Sequence, residues 1–379
     1  METAMTIHEL PTPCYVIDEK KLKENLEILK RVKEEAGCKI LLAQKAFSCF
    51  FEYPLIGQYL DGTTASGLFE AKLGHEEMGK ENHIFSPAFK VEEMEEITDI
   101  CGHIVFNSFA QLEKYHDICN RKKVSVGMRV NPECSTQGDH AIYDPCAPGS
   151  RLGVTEKNFR ADLAGWLDGL HFHTLCEQNS DDLERTLDAF EEKFGKYLNG
   201  MKWLNMGGGH HITRADYDID RLIRCIRRVK ERYGVEVYLE PGEAIALNAG
   251  YLATEVMDIV ENGIRTLVLD ASAACHMPDV LEMPYRPPLK DSGMPGEKAY
   301  TYRLSSCTCL AGDVIGDYSF DREIAVGDRL YFEDMAIYSM VKNNTFNGMC
   351  LPSIAVMDEK GDCRVVKRFG YEDFKERLG

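Results

Sequence analysis

The chain has 379 residues, 44% of them hydrophobic and 9% aromatic, which is enough for one large core or two adjoining ones. Its formal charge of −18 argues against a nucleic-acid binder, which needs a basic face to displace counterions from phosphates, and suits a cationic small molecule. No run approaches the roughly 18 apolar residues of a membrane span, the first residues lack the apolar stretch of a secretory leader, and 14 scattered cysteines do not form a disulfide framework, so a reduced cytoplasmic protein is expected.

Residues 12–17 (TPCYVI) read as a strand, and residues 21–36 carry Leu22, Leu26, Leu29 and Val32 at helical spacing, closed by Gly37. Strand-like runs, each followed by a helical pattern, then recur at 38–43, 62–66, 83–87, 103–108, 124–132, 169–175, 202–208 and 236–241. This alternation predicts an α/β fold with a (β/α)₈ TIM-like barrel. A doubly wound open sheet would show an early GxGxxG turn, and the sequence has none. Beyond about residue 245 strand patterns continue without long helices, at 251–260, 264–270, 329–334 and 353–358, and residues 278–296 read as a Pro-rich loop. The expected organisation is a barrel over 20–250 and a second, β-rich domain made of 1–19 and 251–379. Residues 133–150 form a connection long for a barrel, either a lid or an insertion.

The residues able to do chemistry fall at the carboxyl ends of the proposed strands, which share one mouth in a barrel. Lys45 follows the first, Arg129 ends the fifth and His173 the sixth; Gly207-Gly208-Gly209 closes the seventh and Glu240-Pro241-Gly242 the eighth. A triple glycine serves either a turn or a phosphate that approaches bare N–H groups. His171 and His173, two apart, share a face and could ligate zinc, but no third and fourth ligands match them, and the Cys307–Cys309 CxC has no second pair, so no metal is expected. Glu240 is either an ordinary ion-pair partner or an acid that keeps a pyridine nitrogen protonated. A lysine for a Schiff base, a phosphate cradle, a flat histidine and an acid for a ring nitrogen together describe pyridoxal 5'-phosphate as cofactor.

On the motifs AQKAFS, GLHFH, MGGGHHITRADYD, EPGEAIALNAG, SCTCLAGDVIGD and NNTFNG the chain resembles the carboxynorspermidine/carboxyspermidine decarboxylases, within the alanine racemase and ornithine decarboxylase fold (fold type III). The resemblance implies that Lys45 holds the cofactor aldehyde, His173 stacks on its ring and Glu240 faces its nitrogen. It further implies that Gly208, Gly209 and Gly242 offer N–H to the phosphate and that Arg129 lies near the cofactor. Cys309 and Tyr338 would come from the second subunit of a homodimer with shared sites, the cysteine towards the reacting α-carbon and the tyrosine towards the phosphate. The implied activity is decarboxylation of carboxynorspermidine or carboxyspermidine in polyamine biosynthesis, and Asp313, Asp279 and Glu282 are the acids expected to meet the polyamine-like tail.

Three departures count against ornithine as substrate. Relatives usually place an arginine after EPG, where this chain has Glu243; an acid after the cysteine, where it has Leu310; and an acid three residues before the serine of the second strand, where Thr63 precedes Ser66. The competing expectations are a decarboxylase of diaminopimelate or arginine, a cofactor-binding protein without catalysis, and a metallohydrolase using His171 and His173.

Overall fold

The computed structural model describes residues 5–138 and 141–379. The chain divides into two units, Asn25–Ile245 and Met1–Glu24 with Ala246–Gly379.

The chain enters through β1 (Cys14–Asp18), a strand of the second unit, and the helix Glu19–Ala36. Eight parallel strands then close the barrel: β2 (Lys39–Ala43), β3 (Gly62–Ala65), β4 (Glu81–Phe85), β5 (His103–Phe106), β6 (Ser125–Arg129), β7 (Gly169–His171), β8 (Trp203–Asn205) and β9 (Glu236–Leu239). Each lies inside its expected run except β4, which begins two residues before it. The helices between them are made as the sequence dictates. Ile219–Tyr233 starts where the Asp218 carboxylate accepts the Arg221 N–H at 2.9 Å, ends at Gly234 with φ 68°, and buries Leu222, Ile223, Ile226 and Val229.

Alternate residues of each strand point into the barrel. Leu41, Val105, Trp203 and Tyr238 fill it, with Phe85 packed against them. The Trp203 indole needs room on two neighbouring strands, and two glycines supply it. A Cβ on Gly127 would lie 2.2 Å from the ring and one on Gly169 would lie 2.1 Å from it, whereas a Cβ on Gly102 would meet nothing within 4 Å. Gly169→Ala is therefore expected to cost about 1–3 kcal/mol through overpacking and to lower the thermal midpoint by several degrees, while Gly102→Ala leaves it in place; equal midpoints would show that the indole can move aside.

The second unit is a mixed sheet completed by β10 (Gly250–Glu261), β11 (Arg265–Leu269), β12 (Tyr300–Ser306), β13 (Val314–Phe320), β14 (Arg329–Glu333), β15 (Ser353–Met357) and β16 (Cys363–Lys367), in the order β13-β12-β11-β10-β1-β15-β16, with β14 also on β10. β1 is antiparallel to β10 and parallel to β15, so the first strand of the chain sits inside this sheet, as expected. β10 serves three partners. Its first half pairs β1 and β14, and after a bulge between Val256 and Asp258 its second half continues along β11. The core between the sheet and its loops is built from Tyr15, Leu252, Leu267, Tyr302, Tyr318 and Phe332.

Two expectations are corrected. The segment 278–296 is not all loop, since Asp279–Glu282 forms one helical turn, and β12, β13 and β16 were not anticipated. The long connection 133–150 includes residues 139 and 140, which lie outside the described residues. Its described part is tied to the segment after β7, where Gln137 donates to the Thr174 carbonyl at 3.1 Å and to Gln178 Oε1 at 2.6 Å.

Candidate active site

The strand ends of the barrel surround a cleft lined by Lys45, Arg129, His171, His173, Gly208 and Glu240 among others. Lys45 stands two residues beyond β2. The backbone keeps barrel-like pairing up to that point, because the Ala43 N–H donates to the Pro241 carbonyl at 3.1 Å and the Gln44 N–H to the Thr64 carbonyl at 3.2 Å. The amine reaches the cleft, where burial and then the Arg129 guanidinium lower its pKa from the ordinary lysine value against the pull of Glu240. A lowered pKa leaves more of the amine unprotonated and nucleophilic.

Glu240 follows β9, the strand paired with β2 in the closed barrel, and is mostly buried. Asn205 Nδ2 donates to its Oε1 at 2.7 Å, and His171 Nε2 lies 3.3 Å from its Oε2, at ion-pair distance but not in line for a hydrogen bond. Burial alone would raise its pKa, but His171 and Asn205 outweigh that and bring it down to about 2. Glu240 is therefore a carboxylate throughout the physiological range. Asn205 also accepts the Gly207 N–H at 2.8 Å, so one side chain ties the acid to the glycine turn.

His173 is held by its ring. Nδ1 accepts the Gly208 N–H at 2.7 Å, which requires that nitrogen to be unprotonated, and burial together with the Lys45 and Arg129 charges pushes the imidazole pKa well below its usual value. The ring is thus a neutral plate of fixed orientation. Arg129 donates to the His173 carbonyl at 3.1 Å and lies 4.6 Å over the Phe85 ring; burial, opposed by Glu240, lowers its pKa to about 10.

The glycines divide in their roles. Gly208 does not have a free N–H for a phosphate, because that donor is spent on His173, and the expectation for it is corrected accordingly. A Cβ on Gly208 would also lie 2.3 Å from the Glu240 carbonyl oxygen, so the glycine is required where the backbone passes the eighth strand. Gly209, at φ 78°, and Gly242 make no hydrogen bond through their N–H groups among the described residues. These two donors, the accessible lysine, the neutral histidine plate and the ionised glutamate fit the aldehyde, phosphate and ring nitrogen of a pyridoxal cofactor. The His171–His173 pair does not converge: one ring faces Glu240 and the other is taken by Gly208. Among the described residues no cluster of three His, Cys, Asp or Glu could hold a metal ion.

The three departures have local explanations. Glu243 lies 3.3 Å from His211 Nε2. Thr63 is fully buried and bonds Asn82 Oδ1 at 3.2 Å. Leu310 is exposed.

The remaining expected residues belong to the sheet unit. Cys309 is exposed and its N–H donates to Asn347 Oδ1 at 2.7 Å. Tyr338 is half-buried with φ 54° and ψ −45°, a strained conformation for an aromatic residue, immediately before the turn Ser339–Lys342. Asp313 is not available as a tail-binding acid. It is fully buried, Oδ1 accepts the Ala273 and Ala274 N–H groups at 2.8 and 3.2 Å, and Oδ2 accepts the hydroxyls of Ser272, Ser306 and Thr308 at 2.5–2.6 Å. Asp279 and Glu282 share the Lys342 ammonium, with Glu282 at 3.0 Å. Sequence reasoning missed Asn205, Phe85 and the pairing of His171 with Glu240; their signal was position, each facing inward at or next to a strand end beside a motif already identified.

A lysine and a carboxylate at the ends of neighbouring strands in a (β/α)₈ mouth, with a flat histidine fixed by a glycine N–H, define an enzyme that handles a pyridoxal cofactor. The family model described as pyridoxal-dependent decarboxylase, C-terminal sheet domain, matches residues 14–336, and the chain belongs to that family. Its relatives place it further. The carboxynorspermidine/carboxyspermidine decarboxylase of Campylobacter jejuni is 42% identical over 98% of this chain and 100% of its own length. The carboxyaminopropylagmatine decarboxylase of Synechocystis is also 42% identical, over 98% and 97%. A crystal structure of carboxynorspermidine decarboxylase from Campylobacter jejuni complexed with norspermidine superposes with a TM-score of 0.91 at 43% identity, covering 97% of this chain and 100% of that one. The protein is a decarboxylase of this carboxynorspermidine type, which sets aside the metallohydrolase and the non-catalytic carrier.

Proposed function

We propose that the protein uses pyridoxal 5'-phosphate to remove carbon dioxide from carboxynorspermidine or carboxyspermidine, releasing norspermidine or spermidine for polyamine biosynthesis. The observation that carries the chemistry is the ionised Glu240 facing, in one cleft, an accessible Lys45 of lowered pKa. Bound there, the cofactor supplies an electron sink for the pair left on the α-carbon when carbon dioxide departs. Lys45 Nζ would hold the cofactor by its aldehyde and, with its lowered pKa, would present an unprotonated amine there. Glu240 keeps a proton on the ring nitrogen. His173 orients the ring, and Gly209 and Gly242 donate to the phosphate. Cys309 moves a proton to the α-carbon, and Tyr338 reaches the phosphate, both supplied by the second copy in a homodimer. The 14 free cysteines suit a reducing compartment, the cytoplasm.

The substrate assignment rests on relatives that match along nearly the whole chain. A second reading, carboxyaminopropylagmatine, has equal support in identity. Both substrates end in cationic tails, and with Asp313 buried in its own hydrogen bonds, Asp279 and Glu282 are the acids of the original three a tail ammonium can reach by displacing Lys342. Carbon dioxide release by cofactor-loaded protein against carboxynorspermidine, carboxyspermidine, carboxyaminopropylagmatine, diaminopimelate and arginine is the test. Activity is expected on the first two, with kcat/KM at least about 10²-fold above the last two, a gap of the size set by buried polar groups left unpaired by the wrong tail. A preference for carboxyaminopropylagmatine would move the assignment to the second reading, and turnover of diaminopimelate or arginine alone would end both.

A further inference from the structure

We infer that Asn347 is a positioning residue for Cys309, aiming its thiol from a turn that Asp313 anchors on the other side. The inference rests on the reading of Cys309 as proton donor and concerns what makes that donor deliver to the right carbon.

Cys309 lies three residues past the end of β12 in a short, polar and exposed turn, where nothing in the local sequence would fix a thiol. Two grips do so. Before the cysteine, the buried Asp313 carboxylate takes the hydroxyls of Ser306 at 2.6 Å and Thr308 at 2.5 Å, and the Thr308 N–H in turn donates to Ser306 Oγ at 3.1 Å. At the cysteine itself, the N–H goes to Asn347 Oδ1 at 2.7 Å. Asn347 is committed to this contact by its backbone, since it has φ 57° and ψ 16° inside the turn Phe346–Gly348, a left-handed conformation that asparagine tolerates better than other side-chain-bearing residues.

The asparagine segment is anchored to the element that Asp313 caps. Asn344 donates to the Ala274 carbonyl at 2.8 Å and its N–H to the Cys275 carbonyl at 2.9 Å, while the Ala273 and Ala274 N–H groups end on Asp313 Oδ1. The contacts form a closed ring, from Asp313 through residues 272–275 and 344–347 to Cys309 and back through Thr308. A ring of this kind holds the thiol's direction without touching the sulfur.

The direction matters because two carbons compete for one proton. When the bond to the carboxylate breaks and carbon dioxide leaves, the electron pair is shared between the substrate's α-carbon and the cofactor's former aldehyde carbon. A proton placed on the α-carbon gives the amine product and restores the cofactor. Placed on the other carbon, it gives after hydrolysis an aldehyde and the aminated cofactor: amino acid plus cofactor aldehyde become product aldehyde, carbon dioxide and cofactor amine, with no further oxidant or reductant.

Asn347→Gly keeps the left-handed backbone and removes the acceptor, and Asn347→Asp keeps the acceptor. With holoenzyme and carboxynorspermidine, the Gly variant is expected to raise the fraction of turnovers ending in aldehyde about tenfold, the upper range for one lost hydrogen bond. Alkylation of Cys309 by iodoacetamide in the absence of substrate, followed by peptide mass spectrometry, is expected to be about threefold faster as the turn loosens. Asn347→Asp should return both readings to within about twofold of the wild type. Unchanged aldehyde fraction and alkylation rate in the Gly variant would overturn the positioning role. Cys309→Ala separates the two levels: if it lowers turnover while Asn347→Gly is silent, this inference alone fails, and if it changes nothing, the proton-donor reading fails and takes this one with it.

Discussion

Lys45→Ala is expected to abolish decarboxylation, with a loss of at least about 10³-fold in kcat, within the range that a positioned proton-transfer group supplies and before any loss of covalent holding is added. The amine is the one primary amine in the cleft lining among the described residues, and it faces the cofactor site from the strand end where the chain turns away from the barrel. Arg129, at the end of β6 across the barrel, cannot replace it, because a guanidinium stays protonated even with its pKa lowered to about 10. Borohydride treatment gives a readout independent of turnover. Wild-type protein should gain the mass of one reduced cofactor on the peptide that contains Lys45, and the alanine variant should gain none. Full carbon dioxide release by the variant, or labelling at another lysine, would remove Lys45 from its role. The fold should survive the change, since the side chain is accessible and makes no hydrogen bond of its own among the described residues.

The barrel was legible because its strands are nearly all buried and therefore read as apolar runs, and because a lysine, a histidine, glycines and a glutamate stand at their carboxyl ends. What the sequence concealed were relations between residues distant along the chain. Asp313 looks like one more solvated acid in a chain of charge −18, and nothing near it announces that Ser272 and two backbone N–H groups will close on its carboxylate. A buried carboxylate that accepts several hydrogen bonds is stabilised as an anion without any cationic partner, so charge complementarity to a polyamine was the wrong criterion for it. β12 was missed for a related reason. Its buried positions Tyr302, Leu304 and Ser306 alternate as a half-buried strand requires, but a serine that turns inward to meet Asp313 breaks the hydrophobic pattern from which strands are read.

The same limit applied inside the barrel. Gly127 and Gly169 weaken their strands by every propensity scale, and their value appears only when the Trp203 ring is seen lying over both. Gly208 lines the cleft, but not as the motif predicts: the motif reads as a bare N–H for a phosphate, and the fold spends that N–H on fixing the plane of His173.

Glu240→Gln should lower kcat by about 10²- to 10³-fold, comparable to deleting one preorganised charge-stabilising group from a water-excluded site, while leaving cofactor bound and the fold intact. The substitution changes charge with little change in shape. The amide oxygen can still accept from Asn205, and the amide nitrogen can approach His171 if that ring presents an unprotonated Nε2. What is lost is the anion that holds a proton on the ring nitrogen and so makes the ring a strong electron sink. Stability at neutral pH should fall somewhat, because a folded-state pKa below the ordinary value means that the fold holds the anion better than the unfolded chain does, and a neutral amide forgoes that gain. The pH dependence carries the sign of the assignment. With its folded pKa at about 2, against an ordinary carboxylate value of 4.5, Glu240 is ionised at every pH above about 4, so the wild-type rate should show no acid limb from this group between pH 4 and 7, and the Gln variant should be slow across that whole window without a shift in profile. Conversely, whatever Glu240 adds to folding stability is present above 4.5 and is lost as pH falls towards 2. The absorption spectrum of the bound cofactor, which reports protonation of the ring, should change in the Gln variant at neutral pH. A variant with wild-type kcat, or a wild-type acid limb centred near 4.5 that disappears on substitution, would mean that Glu240 titrates as an ordinary carboxylate and that another group sustains the ring's charge.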